Sequence, residues 1–289
     1  MTVHTGTVDA HHHVWDLSVR DQDWIVGPEL TPLRRDFTVD ELEVEARTAG
    51  VHRTVLVQTV TVAEETPEFL TLADEHDLIG GVVGWTDLTR PDVADELARL
   101  RELPGGRYLR GVRHQVQGEP DPQWLLRPDV RRGLGAVAAA GLVYDLVVLP
   151  HQLPACVRAA AALPGLTFVL DHLGKPPIAS GELEPWATHL RALAALPNTV
   201  CKLSGMVTET DLTRRRSPQA RRREMLPYAD TALDAFGPGR LMFGSDWPVC
   251  TLATTYGGVA FMADGLTLGL SGDERAQVFE GTATRVYRL

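Results

Sequence analysis

Leu142-Val143-Tyr144-Asp145-Leu146-Val147-Val148-Leu149 is an apolar run of strand length, and the segment after it decides the fold. That segment, Leu153–Ala162, is rich in Ala and has helical character. A Pro164-Gly165 turn then leads into a second apolar run, Thr167–Gly174. Strand, helix and strand in that order imply parallel pairing, because a parallel connection needs a crossover. Working outward, the same unit recurs. Further runs lie at Thr7–Trp15, Arg53–Gln58, Ile79–Trp85, Leu109–Gln115, Thr199–Gly205 and Arg240–Trp247, which makes eight in all. Helix-like stretches at Glu64–Asp74, Pro91–Leu103, Arg127–Ala140, Leu183–Leu196 and Met225–Phe236 separate most of them, and Gly- or Pro-containing turns precede several strands. Eight such units in 289 residues fit a (β/α)8 TIM barrel, one α/β domain over residues 1–289, better than an open doubly wound sheet. No Gly-x-Gly-x-x-Gly or Walker pattern follows any strand, which lowers the dinucleotide and nucleotide readings.

Bulk properties narrow the function from the other side. The formal net charge is −10, which argues against a nucleic-acid binder, since phosphates call for a basic face. With 44% hydrophobic and 23% charged residues, bulk disorder is not expected. No apolar run approaches the ~18 residues of a membrane span, so no membrane partner is expected. Met1–Asp9 has neither a basic nor an apolar leader segment, so no signal peptide is expected. Cys156, Cys201 and Cys250 are scattered and odd in number, giving neither a disulfide framework nor a thiolate zinc site. A reducing, cytoplasmic setting is the expectation, with a homo-oligomer left open. One number is unusual: of 28 basic residues only Lys175 and Lys202 are lysine.

In such a barrel the chemistry sits at the C-terminal ends of the strands. Six of the ten histidines, His11, His12, His13, His114, His151 and His172, fall at expected strand ends, whereas His4, His52, His76 and His189 read as surface residues. Alternation along the first strand puts Asp9, His11 and His13 on one face and His12 on the other. Two imidazoles at i and i+2 can reach one point, a spacing for a metal or an acid–base pair. His12 reads as a packed residue, and His114 and His151 stand equally as rim hydrogen-bonders. Asp171 precedes His172 and so is expected to face away and anchor a helix or loop. Asp246 has two readings, a helix cap or a functional acid; its coincidence with the strand-one His-x-His favours the second. The segment Asp211–Arg223, with Arg214–Arg216 and Arg221–Arg223, reads as a solvated loop and helix start rather than an anion patch.

Six motifs carry a family resemblance: Asp-Ala-His-His-His-Val-Trp-Asp (9–16), Val-Gly-Trp-Thr-Asp-Leu (83–88), Leu-Arg-Gly-Val-Arg-His-Gln (109–115), Leu-Asp-His-Leu-Gly-Lys-Pro-Pro (170–177), Cys-Lys-Leu-Ser-Gly (201–205) and Phe-Gly-Ser-Asp-Trp-Pro-Val (243–249). Together they resemble the sugar-lactone and dicarboxylate-lactone hydrolase branch of the amidohydrolase superfamily, from the first strand to the last. The resemblance implies a (β/α)8 barrel that hydrolyses a cyclic ester. It maps the family's strand-one histidines onto His11 and His13, its later histidine onto His172 and its strand-eight acid onto Asp246. The wider superfamily has a carbamylated lysine on strand four; here that strand has Arg113 and His114, which speaks against a two-metal site. One divalent metal such as Zn²⁺, held by His11, His13, His172 and Asp246, or none, are both compatible with this branch.

Lactone hydrolysis assigns roles to these residues. Asp246 is the expected general base, with His172 beside it as the second catalytic residue. A metal, if held, would lower the pKa of a bound water toward ~7. Without one, protonated imidazoles and Lys175 or Lys202 would stabilise the oxyanion. The expected substrate contacts are Trp15, Trp24 and Trp247 stacking on a sugar ring, with Arg113, His114, His151 and Lys175 as polar contacts. Several aromatics against one central Arg favour a neutral sugar lactone over a dicarboxylate lactone. Two other readings stand: a metal-dependent decarboxylase or amide hydrolase on the same barrel, inactivated by chelators, and an inactive ligand-binding barrel, which would bind without turnover. Lys175 and Lys202, kept in an otherwise arginine-only chain, are expected to hold positions that Arg cannot fill.

Overall fold

The computed structural model describes residues 6–214 and 216–289, so His4 and Arg215 lie outside the described residues. All eight expected strands form: β1 (Thr7–His12), β2 (Val51–Val57), β3 (Ile79–Gly84), β4 (Leu109–His114), β5 (Val143–Leu146), β6 (Phe168–Leu170), β7 (Thr199–Leu203) and β8 (Leu241–Phe243). They pair in parallel and in sequence order. The seam between β8 and β1 is closed just beyond the strand ends. There the Asp246 N–H donates to the His11 carbonyl at 2.8 Å, and the His13 N–H to the Trp247 carbonyl at 2.7 Å. The barrel is therefore sealed by the segments that carry the strand-one histidines and the strand-eight acid.

Helices alternate with the strands: α1 (Val39–Thr48), α2 (Glu65–Glu75), α3 (Val93–Glu102), α4 (Pro128–Ala139), α5 (Leu153–Ala162), α6 (Trp186–Ala194), α7 (Pro218–Phe236) and α8 (Tyr256–Leu266), with α9 (Gly272–Ala276) and α10 (Thr282–Tyr287) at the end. Leu153–Ala162 forms as expected. α7 begins earlier than Met225 because Ser217 caps it, accepting the Ala220 N–H at 3.2 Å, with Pro218 at its first position. Four of the arginines before and within its first turns are locally engaged. Arg214 pairs with Asp211, Arg216 with Glu224, and Arg221 and Arg222 donate to the Val207 and Gly265 carbonyls. α1 and α8 were not evident from composition, since three glycines dilute α8. Among the described residues no helix is long and apolar enough to cross a membrane. All three cysteines are buried and free.

Strand alternation builds two cores. The outward faces of the strands pack Leu56, Leu146, Phe168 and Phe243 against the helices. The inward faces fill the lumen with Val55, Val57, Val83, Val143, Val169 and Val200, and α10 plugs this layer with Ala283 and Tyr287. Two residues further along β4, β5, β6 and β7 the inward position turns polar. Val143 is followed by Asp145, Val169 by Asp171, Val200 by Lys202 and Gly111 by Arg113, all buried.

Strand one departs from simple alternation. Asp9 lies opposite Thr54 and His12 opposite Leu56, so β1 carries one extra residue in a bulge. The bulge corrects the expected common face. Asp9 points outward to α8, while His11 and His13 point into the lumen. His12 also faces outward, as expected, with Nε2 at 2.9 Å from the Thr54 hydroxyl. The buried Asp9 carboxylate accepts the Ser245 N–H at 2.8 Å, the Ser245 hydroxyl at 2.6 Å, the Tyr256 hydroxyl at 2.9 Å and the His11 N–H at 3.1 Å. It fastens the bulge to the turn that presents Asp246. Asp9→Ala leaves these donors dry and unpaired, and is expected to lower unfolding stability by about 3 kcal/mol in urea titration.

Candidate active site

Four side chains meet on the floor of a pocket at the C-terminal end of the barrel. Asp246 Oδ1 lies 3.8 Å from His11 Nε2, 3.7 Å from His13 Nε2 and 3.8 Å from His172 Nε2. The His11 and His13 Nε2 atoms are 3.2 Å apart. Local backbone choices produce this convergence. His172 has φ 54°, a left-handed conformation that turns its ring inward just after β6. Asp246 has φ 57°, held there by its N–H bond to the His11 carbonyl, and its side chain faces the imidazoles rather than capping a helix. Gly205 (φ +66°) passes so close to His172 that an added Cβ would sit 2.5 Å from its Cγ. Burial keeps the imidazoles uncharged, pushing His172 down to about 3. The same burial pushes the Asp246 carboxyl up to about 7.

Beneath this floor lies the polar layer of the lumen. Arg113 Nη1 donates to Asp171 Oδ2 at 2.9 Å, Nε to Gln58 Oε1 at 2.8 Å, and Nη2 to the Gln58 carbonyl. Lys202 Nζ lies 2.5 Å from Asp145 Oδ2 and 3.0 Å from Asp171 Oδ1. The Tyr287 hydroxyl donates to Asp145 Oδ2 at 2.8 Å. This corrects the expectation for Asp171, which faces the lumen. It continues the inward register of Val169, and the left-handed turn at the next residue brings His172 to the same side. Asp145, Gln58 and Tyr287 were not picked out from sequence. Asp145 had a signal, since it shares the inward register of Val143.

The pocket above is lined by Trp24, Thr59, Arg113, Gln115, Gln117, Lys175, Thr208 and Glu209, together with His13, His172 and Asp246. Of the expected substrate contacts, the structure therefore brings Trp24, Arg113 and Lys175 to the pocket. It does not bring Trp15, His114, His151 or Trp247. Trp15 packs edge-on to Phe37 at 5.1 Å and donates from Nε1 to the Arg35 carbonyl, and Trp247 packs edge-on to Phe37 at 5.3 Å. His114 stacks on Trp124 at 4.2 Å, with Nδ1 accepting from Trp85 Nε1 and Nε2 at 2.7 Å from Glu119. His151 is exposed on the turn before α5. Glu209, Gln117, Thr59 and Thr208 were missed, because loop residues after a strand carry no periodicity to place them.

The sequence pattern of the amidohydrolase family matches residues 8–289. The chain belongs to the amidohydrolase family. This amidohydrolase is 40% identical to the L-fucono-1,5-lactonase of Burkholderia multivorans, over 98% of this chain and 96% of that protein. It is 37% identical to the L-fucono-1,5-lactonase of Burkholderia ambifaria, over 99% of this chain and 96% of that protein. The crystal structure of an amidohydrolase from Burkholderia multivorans with bound zinc superposes with a TM-score of 0.92 at 40% identity, covering 98% of this chain and 99% of that one.

The donor set of this amidohydrolase fits one divalent ion. Two donors at ~2.0–2.2 Å from a tetrahedral ion are about 3.4 Å apart, close to the separations among His11 Nε2, His13 Nε2 and Asp246 Oδ1, and His172 Nε2 lies 3.8 Å from the same carboxylate oxygen. His13 Nδ1 faces the Val57 carbonyl at 2.7 Å and must donate to it, which leaves its Nε2 lone pair turned into the cluster. The floor tolerates little displacement. Gly205→Ala is expected to push the His172 ring aside and to lower unfolding stability by about 1–3 kcal/mol, read from calorimetry and a crystal structure of the variant. An unmoved ring would contradict the packing argument.

Proposed function

We propose that this amidohydrolase opens a neutral sugar lactone to its hydroxy acid by base-assisted attack of water. The observation that carries the reading is the Asp246 carboxylate, buried among three imidazoles on the floor of a polar pocket. Hydrolysis of a cyclic ester needs a proton taken from water, a stabilised oxyanion and a proton for the leaving alkoxide. A carboxyl pushed up to about 7 by burial is matched to both proton transfers, accepting from water and then delivering to the alkoxide. His172 is the second catalytic residue, its Nδ1 anchored 2.9 Å from the Ser204 hydroxyl and its Nε2 turned to Asp246. The Lys175 ammonium lines the pocket within reach of the Asp246 and Glu209 charges, and supplies positive charge for the oxyanion. A divalent ion held by His11, His13, His172 and Asp246 would polarise the carbonyl and activate water.

Two features favour a neutral, hydroxyl-bearing substrate over a dicarboxylate. The Arg113 fork, the natural clamp for a carboxylate, is taken up by Gln58 and Asp171. Glu209, half-buried at the pocket wall with its carboxyl pushed up by desolvation, disfavours a further negative charge beside it. Gln117 Oε1 is buried without a hydrogen-bond partner and suits a substrate hydroxyl. Trp24 adds an aromatic surface for the ring C–H bonds. The names of the two Burkholderia relatives agree with this class.

The reading is tested on a panel of L-fucono-, L-rhamnono- and D-galactonolactone. The native enzyme is expected to hydrolyse at least one. Asp246→Asn is expected to lose about 10³-fold or more in kcat/KM with an unchanged circular dichroism spectrum. Absence of turnover across the panel would overturn the proposal.

A further inference from the structure

The turn after β2 holds Arg113, and it also orients a second residue of the β4 segment in the pocket. Glu65, the first residue of α2, is 1% exposed and is not part of the pocket lining. Its carboxylate accepts the Thr59 N–H at 2.8 Å, the Thr59 hydroxyl and, at 3.4 Å, the Val60 N–H. From the other side Arg113 donates to both oxygens of Gln58, and Gln58 Nε2 donates to the Val60 carbonyl at 2.9 Å. Residues 58–60 are thus clamped between α2 and the floor. The Thr59 carbonyl faces Gln115, whose Nε2 donates to it. A carbonyl only accepts, so this bond decides which way round the Gln115 amide sits. Its nitrogen is turned to Thr59 and its Oε1 is turned away. Gln115 continues the inward register of Gly111 and Arg113 just past β4, is half-buried and lines the pocket. Its Oε1 has no hydrogen-bond partner among the described residues.

We propose that Gln115 is a specificity-determining residue whose fixed Oε1 accepts a hydrogen bond from one hydroxyl of the lactone, with Glu65 as the positioning residue behind it. The proposal rests on reading the site as a lactone hydrolase, and it names the substrate group that this part of the wall reads. An acceptor held in one orientation favours an O–H donor and disfavours a carboxylate, whose oxygens only accept. A lactone lacking that hydroxyl would cover Oε1 without pairing it. A site built on a substrate hydroxyl rejects such an analogue for that reason. The interaction is made on binding, so its loss falls on KM rather than kcat. A residue that merely braced Thr59 would show no dependence on the hydroxyl.

The test is a cycle of enzyme and substrate changes, run with the best lactone of the panel and with analogues that each lack one hydroxyl. With native enzyme one analogue is expected to lose about 30-fold in kcat/KM, chiefly in KM. Gln115→Met keeps the side-chain length and removes the acceptor. It is expected to lose about as much on the parent lactone and almost nothing further on that analogue. Glu65→Gln is expected to raise KM for the parent about tenfold with kcat unchanged, and to leave the analogue unaffected. Additive losses, in which Gln115→Met costs the parent and every analogue alike, would overturn the proposal. Should Gln115→Met not fold, Glu65→Gln carries the same comparison. Should no lactone be hydrolysed, calorimetric binding of anhydrogalactitol, a ring ether with hydroxyls and no carbonyl, decides. Binding about tenfold weaker in Gln115→Met than in the native protein supports the hydroxyl contact. Equal binding by the two, or none by the native protein, overturns it. A failed lactonase reading is thereby told apart from a failed role for Gln115.

Discussion

Asp171 is a carboxylate buried in the middle of the barrel, and the site is built around it. One oxygen pairs with Arg113 of β4, the other with Lys202 of β7 and the edge of His11 of β1. Burial works against its charge, but the Lys202 ammonium and the Arg113 guanidinium prevail and hold the carboxyl well below the usual range. The cluster contains two acids, Asp145 and Asp171, and two cations, Arg113 and Lys202, all buried. Removing one member of such a set strands a charge, at a cost of about 3–5 kcal/mol. The arrangement also fixes strand register, since a one-residue slip would turn these charges outward into the apolar layer under the helices. The imidazoles and Asp246 rest on this layer, and their positions are inherited from it.

The barrel was legible because its signal is periodic and repeated eight times, and strand ends are where polar residues break an apolar run. His11, His13, His172 and Asp246 stood out for that reason, and they are the four side chains that converge. Reasoning by alternation failed wherever the backbone left the strand. A bulge turned Asp9 away from His11, and a left-handed residue at 172 put Asp171 and His172 on the same side. Residue type misled at the rim. Indole rings at strand ends suit a sugar, but they also suit a packed corner, and Trp15 and Trp247 pack against Phe37. Glu209 and Gln117 were invisible because a loop has no period to place them.

The two lysines show how a scarce residue can point to a site. Lys202 bonds to Asp145 and His11 and pairs with Asp171 in the lumen, and Lys175 opens into the pocket in a left-handed conformation. Both positions reward a compact ammonium on a flexible stem. Arg113, by contrast, has a structural task. Its fork is filled by Gln58 and Asp171, so the one guanidinium that lines the pocket among the described residues stiffens the floor instead of gripping a substrate anion. Floor and wall are thus built differently. The floor is dry, crowded and mutually constrained, whereas the wall is loop-borne and able to set which hydroxyls are read.

In the proposed mechanism Asp246 directs a water molecule onto the acyl carbon and does not itself attack. A single turnover of an aldonolactone in H₂¹⁸O, with enzyme in excess, distinguishes the two. Direct attack by water places one ¹⁸O in the carboxylate of the product and leaves the peptide containing Asp246 unlabelled in mass spectrometry. An unlabelled product together with ¹⁸O in that peptide would mean that the carboxylate formed a covalent intermediate, and would contradict the account.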